Sequence, residues 1–384
     1  MLIESYQKLL EKSLSKSQFL LLQLLIWLLQ VQKQVRIERL SACLPLPILF
    51  ESRRRKIQKF LILKHFNLEE IWLPLIKAII QPKLKREKRV ILVIDRTQWK
   101  KNNILMLSLV WQKRAIPIYW QVLAKQGASN WSEQKLVISP AIELFKNFSV
   151  IVIGDREFHS PQLANWLSEQ KLLFALRQKR NTYLSQNGKN HCQLAHLGLR
   201  PGTHLFFQSV KMTKKKGFGH FNLAGYWKKN YRGRVADEGW FILTNLKSLG
   251  EALEVYRARM GIEALFKDCK SGGYNLEDSQ ASPQRLSSLI LVIAIAYTCA
   301  VFQGAKIKHM GYQKYVSRQT EKGRRERRHS DFWVGLYGQN WLPNLKFCAS
   351  LIQQLLALSP AHHRHYQKGL LAMSSIEKAA DFSS

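Results

Sequence analysis

Two aspartates each close a short apolar run: Asp95 follows Val90–Ile94 in VILVIDRT, and Asp155 follows Val150–Ile153 and a glycine in VIVIGDREF. Runs of this length and β-branched content read as buried strands. Both carboxylates therefore stand at strand carboxyl ends, where open α/β sheets place their ligands. One acid in such a place is equally a turn or helix cap, but two on one sheet repel each other unless a cation lies between them. A third acid, Glu263, belongs to a stretch in which Tyr256, Arg259, Glu263 and Lys270 fall at offsets 0, 3, 7 and 14. On a continuous helix turning about 100° per residue, these four share one face within roughly 60° of arc. Lys267 joins them, and Val255, Ile262, Leu265, Phe266 and Cys269 lie opposite, suited to packing on a sheet. The alternative is a solvated amphipathic face with ordinary charge pairs. Three carboxylates without a His or Cys partner suit Mg²⁺, with Mn²⁺ as a substitute, because Mg²⁺ takes oxygen ligands and retains waters. Two such ions about 4 Å apart serve phosphodiester cleavage, activating the attacking oxygen and stabilising the leaving one.

Charge names the polymer such a site would meet. The 384 residues carry 60 Lys and Arg against 26 Asp and Glu, a formal net charge of +34. That surplus attracts polyanions, nucleic acid first. An anionic membrane surface is the alternative, disfavoured because the basic residues are spread along the chain rather than gathered beside one apolar segment. The 46% apolar content excludes general disorder. Cys43, Cys192, Cys269, Cys299 and Cys348 are widely spaced, with no metal-binding spacing, as in a reduced intracellular protein. The N-terminus MLIESYQKLLEKSLSK lacks signal-peptide character, and the run Phe19–Val31 is too short to span a bilayer. The run Leu286–Phe302 approaches spanning length and is expected to be a buried core helix. The expected compartment is the cytoplasm, in association with the nucleoid, with no membrane partner.

The elements that would position the acids follow from periodicity and punctuation. Residues 1–88 read as a helical DNA-binding region ending in the charged QPKLKREKR. After the strand at 90–94, strands are expected at 104–111 and 115–123, then a helix over 133–148, the strand at 150–153, a helix over 160–170 and a strand at 172–176. Ser160 and Pro161 supply the cap and first position of that second helix. Three strands, a helix, then alternating strand and helix is an RNase H-like order. The expected fold class is thus α/β, an RNase H-like catalytic core with a mixed five-stranded sheet and flanking helices. Its first part covers 89–177. A β-rich insertion over 178–239, rich in Gly, Asn, Lys and aromatics, interrupts it, and its second part, 240–310, opens with the strand Trp240–Thr244 and a long helix from Leu249. A basic, helical tail occupies 311–384.

The chain resembles the IS4-type DDE transposases of bacterial insertion sequences. The resemblance rests on IDRTQW at Asp95, GDREF at Asp155, the ordered Y-x2-R-x3-E-x6-K of Tyr256, Arg259, Glu263 and Lys270, and the segments WFILTNL and KSGGYNLEDS. It spans about residues 88–300; Gln98 stands where an acidic or amide residue is commoner in the family. The resemblance implies Mg²⁺-dependent cleavage of insertion-sequence ends and strand transfer into target DNA. Asp95 would bridge two ions and Asp155 and Glu263 would each complete one. Arg259 and Lys270 would contact phosphates, with Tyr256 as a hydrogen-bonding partner. Trp240 stands where relatives carry a tryptophan that stacks on a flipped base, the alternative being burial in its strand. The expected partner is double-stranded DNA, as terminal inverted repeats and target, with a dimer in the synaptic complex. Lys214, Lys215 and Lys216, with Lys228 and Lys229, would lie along that DNA or in a solvated loop. Arg53–Lys56 invites a similar reading for the N-terminal helices. His159 reads as a structural histidine, and His362, His363 and His365 as part of a solvated tail. The rival readings are another RNase H-like nuclease, a catalytically silent transposase-derived DNA-binding protein, and a membrane-bound basic protein.

Overall fold

The structure, a computed structural model, describes residues 6–99, 101–185, 191–212, 218–230, 237–323, 328–358 and 360–379. Lys214, Lys215 and Lys216 lie outside the described residues. Helices α1 (Lys16–Gln32), α2 (Ile37–Cys43), α3 (Phe50–Phe60) and α4 (Leu73–Ile80) precede the first strand. Strands β1 (Arg89–Trp99), β2 (Asn102–Trp111) and β3 (Arg114–Leu123) lead to helix α5 (Trp131–Leu144), β4 (Ser149–Gly154), helix α6 (Pro161–Glu169) and β5 (Leu173–Arg177). Four further strands follow, β6 (Tyr183–Ser185), β7 (Cys192–Gln193), β8 (His204–Met212) and β9 (Phe218–Tyr226), and then β10 (Trp240–Thr244). Helices α7 (Leu249–Arg257), α8 (Met260–Cys269), α9 (Pro283–His309), α10 (Asp331–Phe347), α11 (Ala349–Ala357) and α12 (His363–Ala379) complete the order. The chain divides into two compact units, Ile79–Phe266 and a second made of Met1–Ala78 with Lys267–Ser384.

In the first unit the described residues build one mixed sheet in the order β3-β2-β1-β4-β5-β10-β9-β8-β6-β7. β1 and β2, and β2 and β3, pair antiparallel, whereas β4 runs parallel to β1 and β5 parallel to β4. The sheet is wider than the five strands expected. β10 pairs antiparallel with β5 on one side and β9 on the other, so the strands of the 178–239 region continue the same sheet. Val93, Ile94, Ile151, Val152 and Ile153 are fully buried, as their unbroken apolar runs require for strands covered on both faces. Val137, Ile138 and Ala141 of α5 and Leu163, Ala164 and Leu167 of α6 are buried as well. Pro117 sits on edge strand β3 beside a register shift in the β2–β3 pairing, where a missing N–H costs least.

The continuous helix expected from Leu249 is two helices. The chain turns at Ala258 and Arg259 before α8 begins. A Cβ on Gly261 would stand 2.7 Å from the Arg114 carbonyl oxygen, so only glycine lets α8 approach the β2–β3 turn this closely.

The second unit is helical around α9. Among the described residues α9 alone is long and apolar enough to cross a bilayer, yet 94% of its apolar window is buried inside the protein, as a core helix requires. It packs on α10 through reciprocal glycines: a Cβ on Gly304 would collide with the Asp331 carbonyl, and one on Gly335 with the Ala300 carbonyl. Tyr297 stacks on Phe332 at the same crossing, ring centroids 5.0 Å apart.

Candidate active site

Strand register brings the two aspartates together. Ile94 pairs with Gly154 across the parallel β1–β4 ladder, so Asp95 and Asp155 are the next residues on adjacent strands, whose backbones run about 4.8 Å apart. Beyond this point the chains part. β1 continues against β2, with Asp95 opposite Met106, while Asp155 leaves the sheet as the N-cap of a single 3₁₀ turn, Arg156–Phe158. The GDREF sequence is that turn. A Cβ on Gly154 would meet the Phe158 Cβ at 2.8 Å, so glycine lets the fully buried Phe158 fold back onto the strand end. Asp155 caps the turn, its Oδ1 accepting from the Glu157 N–H at 2.8 Å.

Glu263 joins the pair through Arg259. The Arg259 guanidinium donates to Asp95 Oδ2 at 3.3 Å and forms a close ion pair with Glu263 Oε1 one helical turn on. Arg259 is largely buried, while Glu263 stands half in solvent with 44% of its side chain exposed. Burial acts against the Arg259 charge, but Tyr256, Glu263, Asp95 and Asp155 together hold its pKa above the usual value. Asp95 shows the opposite strain. Burial first and the Asp155 charge second push its carboxyl up to about 7, with Glu263 adding to the rise, while the Arg96 N–H and Arg259 oppose it. The three acids thus lie in one electrostatic neighbourhood with a guanidinium among them.

Their donor chemistry, all carboxylate oxygen, fits Mg²⁺, and the repulsion at Asp95 is what a divalent cation relieves. The side chains are closed around Arg259, however. As they stand, no three His, Cys, Asp or Glu side chains among the described residues are gathered to hold a metal ion.

Of the remaining sequence candidates, Tyr256 and Trp240 stay beside the acids and the others do not join them. Tyr256 is buried, 3% exposed, beneath Trp240 rather than on a solvent stripe; the rings meet edge to face at 5.1 Å. Trp240 itself is partly buried on β10, also against Tyr226. Burial pushes the Tyr256 phenol upward, Arg259 and Arg177 opposing. Lys270 lies just past the end of α8 and pairs with Glu277 at 3.1 Å, so the single-helix stripe of four does not form. His159 is partly buried and its pKa is lowered, by burial first and then by Lys179. His362, His363 and His365 are exposed at the start of α12. Of the basic run in α3, Arg53 is spent on the carbonyls of Ser41 and Ile48, and Arg54 on Glu38 and Glu51. Arg55 and Lys56 point outward, Arg55 with 72% of its side chain exposed.

Sequence reasoning missed Arg96 and Glu157, which follow the two aspartates. Their side chains pair at 2.8 Å, only 20% and 14% exposed. Arg96 also donates to Asn103 Oδ1 and Gln98 Oε1, and Glu157 Oε1 accepts from both the backbone N–H and the hydroxyl of Ser129. The signal was present in D-R-T and D-R-E-F, an arginine after Asp95 and a glutamate two residues after Asp155, but nothing in the linear order pairs them.

A profile of the family described as Transposase DDE domain matches residues 86–299. Among solved structures, the chain is similar to a piggyBac transposase in a synaptic complex with hairpin DNA. That likeness has 14% identity, a TM-score of 0.39, and coverage of 84% of this chain and 70% of that one. A comparison with curated proteins gives no match.

Proposed function

Because the chain belongs to the DDE transposases, it is a transposase acting on DNA, and we propose that it cuts insertion-sequence ends and joins them to target DNA by a two-metal mechanism on an RNase H-like core. The observation that carries this reading is the meeting of Asp95 and Asp155 at the ends of adjacent parallel strands, with Glu263 tied to Asp95 through Arg259. Asp95, Asp155 and Glu263 would hold the ions, Asp95 between them. Bound there, Mg²⁺ or Mn²⁺ would activate the attacking oxygen and stabilise the leaving 3′ oxygen. Arg259, once released from the carboxylates, is placed to offer its planar fork to a phosphate at the cut. Trp240 would present its partly exposed ring to an extruded base, backed by the buried Tyr256. Lys270 and the run Lys214, Lys215 and Lys216 would contact the DNA backbone. The IS4-type sequence pattern extends this reading to a bacterial insertion sequence, a cytoplasmic, nucleoid-associated enzyme, and a dimer when two ends are synapsed.

The test is Mg²⁺-dependent cleavage of DNA carrying the sequences that flank this gene, comparing wild type with Asp95→Ala, Asp155→Ala and Glu263→Ala. Each variant is expected to lose cutting and keep DNA binding. Retained cutting in any one removes that residue from the metal site.

A further inference from the structure

We infer that the Arg96–Glu157 ion pair is a positioning device that fixes Asp95 against Asp155 so that one divalent cation can be shared between them. The inference rests on the proposed metal site and adds residues that the family signature leaves without a role.

The sheet sets the spacing of the two aspartates only as far as Ile94 and Gly154. One residue later Asp155 has left the ladder and caps the short 3₁₀ turn. Two like charges at the ends of adjacent strands repel each other there. The first cross-link beyond the last strand pairing is Arg96 to Glu157, one residue past Asp95 and two past Asp155. It is anchored at both ends. Glu157 Oε2 takes Arg96 while Oε1 takes the Ser129 N–H at 2.9 Å and the hydroxyl at 2.8 Å. Arg96 reaches Asn103 Oδ1 at 3.0 Å, and Asn103, itself fully buried, donates to the carbonyls of Lys125 and Gly127 at 2.9 Å each. The network therefore ties β1, β2, the segment after β3 and the turn after β4 into one frame.

Both Glu157 oxygens and the Arg96 guanidinium are spent inside this network, Glu157 on Arg96 and Ser129, Arg96 on Glu157, Gln98 and Asn103. A desolvated ion pair adds little net stability over an apolar pair of the same volume, and its best-attested use is to fix one arrangement among several. Here the arrangement fixed is the spacing of two metal-binding carboxylates. Groups that orient metal ligands from behind typically change metal affinity by about 10–100-fold when lost.

The experiment uses the full chain without DNA and titrates Mn²⁺, reading free Mn²⁺ by electron paramagnetic resonance, for wild type, Arg96→Gln, Glu157→Gln, the double variant and Asp95→Asn. Thermal melting and DNA affinity in Ca²⁺ are measured in parallel. Each single variant is expected to weaken Mn²⁺ binding at least about tenfold, with DNA affinity within about twofold of wild type. The double variant should lose no more than either single one, because one interaction is being removed twice. Cleavage by the single variants should recover as Mn²⁺ is raised. A Glu157→Gln isotherm that overlays wild type while the melting temperature falls would overturn the inference, leaving the pair a structural brace. Should Glu157→Gln fail to fold, Ser129→Ala removes one anchor of the same carboxylate and must shift the Mn²⁺ midpoint in the same direction; an unmoved midpoint overturns the inference equally. Asp95→Asn separates the two levels. If it binds Mn²⁺ as wild type does, the metal site itself is misassigned; if it loses Mn²⁺ while Glu157→Gln does not, only the positioning role falls.

Discussion

Replacing Asp95 by Asn should stabilise the metal-free protein at alkaline pH and leave it nearly unchanged in acid. The carboxyl moves from 3.8 in the unfolded chain to about 7 in the fold, through burial and the neighbouring Asp155. Between those values the native state holds its proton more tightly than the unfolded state. The penalty for ionising Asp95 is therefore absent below the unfolded pKa, grows as pH rises, and is complete above the folded pKa. At about 1.4 kcal/mol per pH unit between the two values, the ceiling is about 4 kcal/mol at pH 8. The attraction of Arg259 is already inside that balance. Relaxation around an ionised acid returns part of the penalty, leaving about 2 kcal/mol to be recovered by an uncharged isostere. For a unit the size of Ile79–Phe266, this is a Tm rise of roughly 4–8 °C. The assay is scanning calorimetry in EDTA at pH 8 and pH 4, followed by titration with Mg²⁺ at pH 8. Asp95→Asn should melt higher than wild type at pH 8 and about equally at pH 4, and Mg²⁺ should raise the wild-type Tm much more than that of the variant. A variant that melts lower at pH 8, or one that gains the same at both pH values, refutes the account of the site as a cluster of mutually repelling carboxylates.

Other consequences are as direct. Arg259→Gln removes the cation between Asp95 and Glu263 and should lower cleavage about 100-fold, the usual scale for a charged group aimed at a reacting phosphate, while DNA affinity changes little; unchanged cleavage would separate Arg259 from the chemistry. Trp240→Ala should weaken the complex with a cut transposon end by about 1–3 kcal/mol, the worth of one stacked base, read by anisotropy against intact duplex as the control; equal loss on both would make Trp240 a packing residue only. Gly335→Ala should destabilise by about 3 kcal/mol through overlap with the Ala300 carbonyl, whereas Gly369→Ala, with nothing near its Cβ, should gain up to about 1 kcal/mol from helix propensity. Chemical denaturation distinguishes the signs, and equal effects would contradict the close crossing of α9 and α10. With a formal charge of +34, DNA affinity should fall steeply and linearly in log salt as counterions are released; a flat response in a filter-binding series would exclude a basic DNA path.

What was legible in the sequence was whatever depends on neighbours in the chain. The apolar runs before Asp95 and Asp155 are the strands β1 and β4, and the expected succession of three strands, helix, strand, helix and strand is present. Ser160 and Pro161 open α6 at the expected positions, although the Ser160 side chain makes no capping hydrogen bond. What was not legible depends on residues far apart in the chain. The helix expected to run through Tyr256, Arg259, Glu263 and Lys270 has no proline or strong breaker at Ala258–Arg259. Just past the turn, Gly261 packs against the Arg114 carbonyl, on a strand more than a hundred residues earlier. At that turn Arg259 reaches Asp95, while Tyr256 just before it lies under Trp240. Arg96 and Glu157 escaped for a related reason. Each reads locally as a surface charge beside an aspartate, and only the parallel pairing of β1 with β4 makes them partners. Local pattern fails where a protein sets chemistry above regularity. At this site both failures fall within a few residues of the same three carboxylates, which is itself an argument that the irregularities are there to hold the acids against their own repulsion.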